Sequence, residues 1–221
     1  MLSTDVWRHA RELSDGVVYL RFDGFDRASR RWLSEQLKEH RDAPAVIVDL
    51  RENPGGTAFS LGITVGEFFP RSVGWGRFTS RSGRPHDNES WQWGSARYAG
   101  KVAVLVDGST ASCAEIFARV LQYHHRAVVI GRKTAGAVIG SLSYPLPGGG
   151  KLQLGVYDYR GPDGERLEGV GVKPDIVVPA VFDGIGGLRA DRDLDLEAAL
   201  RVLKAQIATA EHAPAGALGS F

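Results

Sequence analysis

Three hydroxyl side chains and one carboxylate crowd the stretch GSTASCAEIF, residues 108–117. Before it stands KVAVLV, an apolar run that reads as a strand, and after it the apolar spacing is that of a helix. A serine at such a strand-to-helix junction lies beside unpaired backbone N–H groups and the positive end of the helix dipole. Both favour an alkoxide-like nucleophile and a developing oxyanion. Ser112 is the candidate nucleophile on this ground. The same residues also satisfy a simpler description, in which Ser109, Thr110 or Ser112 is the N-cap of the helix and Glu115 closes a capping box three residues after Ser112. The segment alone leaves both open.

Other reactive residues give weaker signals. Cys113 also lies at the helix start, where thiol pKa values tend to fall, yet a small buried residue fits there equally well. Asp49 and Glu52 flank Arg51; three positions apart across a strand end, they point to different faces and read as structural ion-pair partners. His124 and His125 fall about three turns down the helix, ~18 Å from Ser112 at ~1.5 Å rise per residue, too far to serve it. His86 sits in the loop RPHDNESW and reads as a solvated loop histidine, with reach into a cleft the lesser alternative; His9, His40 and His212 read as surface residues. No cluster has metal-ligand spacing, so neither metal nor cofactor is expected.

The elements that must position these groups follow α/β grammar. The spacing predicts a short helix over residues 4–13, the strand GVVYLRF, the amphipathic helix RASRRWLSEQLKEH, the continuous strand AVIVDL and the helix AFSLGITVGEFF. Between the last two lies RENPGGT, whose Pro54-Gly55-Gly56 is a tight turn by composition. Residues 71–98 break the pattern with a β excursion and an aromatic-rich loop, which either lines a groove or covers the core. Then come KVAVLV, the Ser112 helix, AVVIG, two strands SLSYPLP and KLQLGVYDYR joined through Gly148–Gly150, and a final leucine-spaced helix DRDLDLEAALRVLKAQIATA. No internal repeat or long linker divides the chain. The expected organisation is an N-terminal helix or linker remnant over 1–15, a core over 16–209 and a disordered tail over 210–221.

Bulk properties exclude several partners. With 221 residues, a formal charge of +1 and one cysteine, the chain suits one sizeable core without disulfides or a thiolate zinc site. No basic run interleaves with aromatics, so nucleic acid is not an expected partner. No stretch approaches the ~20 apolar residues of a membrane span, and the N-terminal residues lack the pattern of a secretory signal. Compartment stays open. The C-terminal helix offers a surface for self-association.

Four segments in order, VIVDLRENPGG, GSTASCAEIF, AVVIGRKTAG and LEGVGVKPDIVV, together resemble the core of the C-terminal processing, or tail-specific, protease family over roughly residues 16–180. The resemblance implies a crotonase-like α/β core of βαβ units with an additional β-rich segment, and a serine endopeptidase acting on polypeptide substrates. It implies that Ser112, three residues before Glu115, is the nucleophile, and that Gly55 or Gly56 with Cys113 N–H forms the oxyanion hole. In the Ser-Lys members a second lysine after the AVVIG strand is the base. Here Lys133-Thr-Ala-Gly-Ala137 places alanine at that position, Lys133 matches the first, non-catalytic lysine, and Ser141 stands where a supporting glutamine often lies. The Thr-Ala-Gly pattern is instead similar to the tricorn-core and interphotoreceptor retinoid-binding-protein-like branch. There a glutamate, at the place of Glu168, helps orient a histidine carried upstream of a PDZ-like module. Two of four catalytic groups are therefore expected outside this chain. A non-catalytic module binding peptide or apolar ligand in the same cleft is the alternative. Acyl-CoA chemistry of the wider fold has only fold analogy behind it.

Overall fold

The computed structural model describes residues 8–92, 97–180 and 192–211. His212 and the tail expected to be disordered lie outside them. The main sheet has six strands in the order β1 (His9–Glu12), β2 (Val17–Arg21), β3 (Ala45–Asp49), β6 (Lys101–Val106), β7 (Val128–Gly131) and β10 (Ile176–Val177). From β2 to β10 all neighbours are parallel. Parallel strands need crossovers, and these are α1 (Arg27–Glu39), α2 (Ala58–Gly66) and α3 (Cys113–Tyr123). The described fold is α/β.

Helices on both faces explain the uninterrupted apolar strands. Every residue of β3 is buried. Val46 and Val48 face the cluster that holds Leu33, Leu37, Leu61 and Phe117 of α1–α3. Ala45 and Ile47 face the opposite cluster, with Leu196, Ala199 and Leu203 of α4 (Leu194–Glu211). The two-residue period of a strand thus divides one short sequence between two cores. Asp26 begins α1 by accepting from Ala28 N–H at 2.7 Å and Ser29 N–H at 2.8 Å, and Thr57 caps α2 through Ser60 N–H.

One expected element is wrong in kind. Within the helix expected over residues 4–13, His9–Glu12 is an edge strand antiparallel to β2, with His9 opposite Arg21 and Glu12 opposite Val18. The open edge of β2 supplies hydrogen-bond partners that a short isolated helix would lack. Arg11 further stacks over the Tyr19 ring at 5.0 Å.

A second, antiparallel sheet follows the order β5 (Pro85–Glu89), β4 (Gly74–Ser80), β9 (Lys151–Arg160) and β8 (Gly140–Pro145). It is pinned to the main body by Tyr159, fully buried, whose hydroxyl donates to Trp75 O at 2.5 Å. Of the aromatic-rich segment, Trp75 and Tyr98 are core residues, whereas Trp91 is 39% exposed. Among the described residues no helix is long and apolar enough to cross a membrane, and no group of three or more His, Cys, Asp or Glu could hold a metal ion.

Candidate active site

β6 ends at Val106, and a turn brings the chain to α3. Thr110, buried, locks that turn by donating its hydroxyl to Leu50 O at 2.8 Å and accepting from Asp107 N–H at 2.9 Å. Ser112 follows with φ 56° and ψ −124°, a backbone state that residues with a Cβ rarely adopt. Such states cost of order 1–3 kcal/mol and persist only when their surroundings over-determine them. Of the expected capping box, Ser112 N–H donates to Glu115 Oε2 at 3.0 Å.

Glu115 does more than cap. Fully buried, its carboxylate accepts from Thr134 Oγ1 (2.5 Å), Gly136 N–H (2.7 Å) and Ala137 N–H (2.9 Å) besides Ser112 N–H. One oxygen, Oε2, is thus shared by the backbones of residues 112 and 137. The two backbones are thereby tied to one buried carboxylate, and Ala137 carries no group that could accept a proton.

The turn after β3 is packed directly against Ser112. Asn53, fully buried, donates from Nδ2 to Phe22 O (2.9 Å), accepts Gly55 N–H on Oδ1 (3.0 Å), and accepts Ala111 N–H on its carbonyl (3.0 Å). Gly55 has φ +96°, and a Cβ on it would lie 2.6 Å from Ser112 Cβ and 2.8 Å from Cys113 N. Only glycine permits this approach. Because Gly55 N–H is occupied by Asn53, the two glycines are not equivalent as oxyanion donors. Gly56, bridged to Phe25 through the hydrogen bonds of its neighbours, lines the cleft, and its N–H is not the one taken by Asn53. Cys113 lies 5% exposed with its thiol donating to Gly56 O at 3.3 Å. Burial pushes this thiol up to about 11, partly opposed by hydrogen bonds from Ser112 and Gly56, so it is a packed thiol and not a thiolate.

The turn is anchored from behind by charge. Arg51 pairs with Asp49 (2.6 Å), Asp193 (2.8 Å) and Asp195 (3.1 Å), and Arg132 pairs with Asp195 (2.7 Å). Tyr19 donates to Asp49 Oδ2 at 2.6 Å, and burial, then the Asp49 charge and hydrogen bond, raise its hydroxyl to about 12. Burial pushes the Asp193 carboxyl up, but the Arg51 and Leu196 N–H hydrogen bonds more than offset it and leave the group below its ordinary range. Glu52 pairs with Arg21 at 2.6 Å. Neither Asp49 nor Glu52 is free for acid-base chemistry.

Ser112, Cys113 and Gly56 open into a cleft of about 660 Å³ walled by α3, the segment 138–142 and the second sheet. Glu168 does not line it. Its Oε2 accepts Val138 N–H (2.7 Å) and Ile139 N–H (3.1 Å), so it braces the segment that forms one wall. Ser141 lines the cleft and accepts from Gln153 Nε2 at 2.6 Å. His124 and His125 do not line it, and His124 Nε2 is spent on Gly74 O at 2.9 Å.

His86 does line it, through a register that the sequence does not reveal. It lies opposite Phe78 in the β4–β5 ladder, and Phe78 faces the cleft. Opposed residues of an antiparallel pair share a face.

Comparison with known proteins follows the same residues. The chain is 29% identical over 198 residues to the carboxyl-terminal-processing protease of Synechocystis sp., covering 88% of this chain and 45% of that protein. To the carboxy-terminal-processing protease of Bartonella bacilliformis it is 34% identical over 135 residues, 60% of this chain and 30% of that one. The chain spans about half or less of the length of these curated relatives. Among solved structures it resembles the photosystem II D1 C-terminal processing protease (TM-score 0.66, 22% identity, 87% of this chain and 48% of that chain). It also resembles the tricorn protease (TM-score 0.62, 18% identity, 89% and 18%). At these identities the structures speak for the fold. A family model described as Peptidase family S41 matches residues 16–178, which span β2 to β10 and every residue that lines the cleft, and the chain belongs to that family.

Proposed function

We propose that these residues form the crotonase-like catalytic core, over 16–209, of a serine-type endopeptidase that hydrolyses the tails or extended segments of polypeptides. Ser112 attacks the peptide carbonyl, and Gly56 N–H with Cys113 N–H receives the oxyanion. An oxyanion donor of this kind contributes roughly a hundredfold or more in rate. Gly55 supplies the close approach, and Glu168 holds the cleft wall. The observation that carries this reading is Ser112 held on a strained backbone at a helix start, packed against Gly55 and lining the cleft. Ala137 cannot take the proton, so we assign that role to a histidine. His86 stands on the cleft wall, and the tricorn-like arrangement supplies a histidine from upstream.

Fluorophosphonate labelling tests the scheme, with Ser112→Ala as control. Labelling of the chain that is lost in both Ser112→Ala and His86→Ala places the base within these residues. Labelling indifferent to His86, or appearing only when an upstream segment is supplied, places it upstream. The second reading, a module that binds a peptide or apolar ligand without turnover, is favoured by Ala137; absence of Ser112-dependent labelling in every form would establish it.

A further inference from the structure

Of the seventeen described residues that line the cleft, none is an aspartate or glutamate, and Arg84 is the one permanent cation. Arg84 immediately precedes β5 and lines the cleft together with Pro85 and His86. The nearest acids in sequence and across the ladder are already neutralised: Asp87 by Arg77 on the opposite face of the hairpin, and Asp158 by Arg166. Arg84 makes no ion pair with any described residue. The cleft that holds Ser112 is thus apolar in its depth, through Ile116, Val138 and Phe78, and positive at one wall.

We infer that Arg84 receives a carboxylate of the polypeptide bound in this cleft, and so determines which segments are presented to Ser112. The inference rests on the peptidase reading of the site. A guanidinium binds a carboxylate through two parallel N–H bonds, a geometry that lysine cannot reproduce, and the absence of any acid in the cleft leaves that fork unopposed. Two sources offer the same chemistry: the α-carboxylate of a chain end, and an aspartate or glutamate side chain flanking the scissile bond.

The test measures binding to the Ser112→Ala chain at low ionic strength by fluorescence anisotropy. Three dye-labelled apolar hexapeptides are compared: one with a free C-terminal carboxylate, one amidated, and one amidated with a single internal glutamate. A hydrogen bond to a charged group predicts that a carboxylate-bearing peptide binds about tenfold or more tightly than the neutral amide. Preference for the free acid alone identifies a chain end; equal gain from the internal glutamate identifies a side chain. Arg84→Gln is expected to abolish the preference without changing affinity for the amide, and Arg84→Lys to retain only part of it. Equal binding of all three peptides, a preference that survives Arg84→Gln, or no binding of any peptide overturns the inference. Fluorophosphonate labelling of the unmodified chain, with Ser112→Ala as control, separates this failure from that of the peptidase reading: Ser112-dependent labelling leaves the nucleophile assignment standing when the carboxylate preference fails.

Discussion

Replacing Glu115 by glutamine and by alanine should separate the two jobs of one buried carboxylate. Its Oε1 accepts from Thr134 Oγ1 and Gly136 N–H, and its Oε2 from Ser112 N–H and Ala137 N–H. In Glu115→Gln, an NH2 group at the Oε2 place would confront two backbone N–H donors, so the amide turns the other way. At the Oε1 place Thr134 can rotate its hydroxyl to accept, although that oxygen already accepts Val172 N–H at 2.7 Å, and both Gly136 N–H and the Thr134 hydroxyl hydrogen lose their acceptor. Each unpaired buried donor costs about 1–3 kcal/mol. For a chain of this size the pair lowers Tm by about 4–24 °C. The oxygen shared by residues 112 and 137 survives, so fluorophosphonate labelling, measured well below the melting range, should stay within a few-fold of unmodified. Glu115→Ala removes that oxygen too. Its loss should approach the ~3–5 kcal/mol of a broken buried charged contact. The folded fraction should label about a hundredfold more slowly, because small misplacements of a nucleophile are costly. Equal labelling rates for the two folded variants, or an alanine variant that melts with the unmodified chain, would refute the reasoning.

Two further outcomes are expected. Gly55→Ala should eliminate labelling, since its Cβ would meet Ser112 Cβ at 2.6 Å at a φ of +96°, whereas Gly74→Ala, with nothing within 4 Å, should leave rate and Tm nearly unchanged. The lowered carboxyl of Asp193 contributes stability that is present above its unfolded value of about 4 and is lost as pH falls through its folded value. Urea midpoints measured from pH 6 downward should therefore drop in acid, and Arg51→Gln should lower the neutral midpoint and flatten the drop; an unchanged slope in Arg51→Gln would contradict the assignment.

The main sheet and α1–α3 were legible because their signals are local. AVIVD and KVAVLV are continuous apolar runs, and Asp26 and Thr57 mark helix starts. His9–Glu12 was not, because an edge strand takes its hydrogen bonds from a neighbour and HARE carries no alternation to announce it. The Ser112–Glu115 spacing identified one end of the site. The contacts of Glu115 with Thr134, Gly136 and Ala137 lie some twenty residues away and leave no trace in spacing. Gly55 and Gly56 could be named as a pair, but their division of labour depends on which N–H Asn53 takes. His86 reaches the cleft through hairpin register, which a shift of one residue would reverse.

The clamp on the turn after β3 joins partners far apart in the chain: Arg51 is held by Asp193, 142 residues later. During synthesis the strand, the Pro54-Gly55-Gly56 turn and Ser112 all emerge long before α4 does. Until residues 193–195 arrive, Arg51 lacks two of its three carboxylate partners and the second face of the sheet, where Leu196 and Leu203 belong, is bare. The turn that packs against Ser112 thus acquires its full set of ion pairs only once residues 193–195 have been translated.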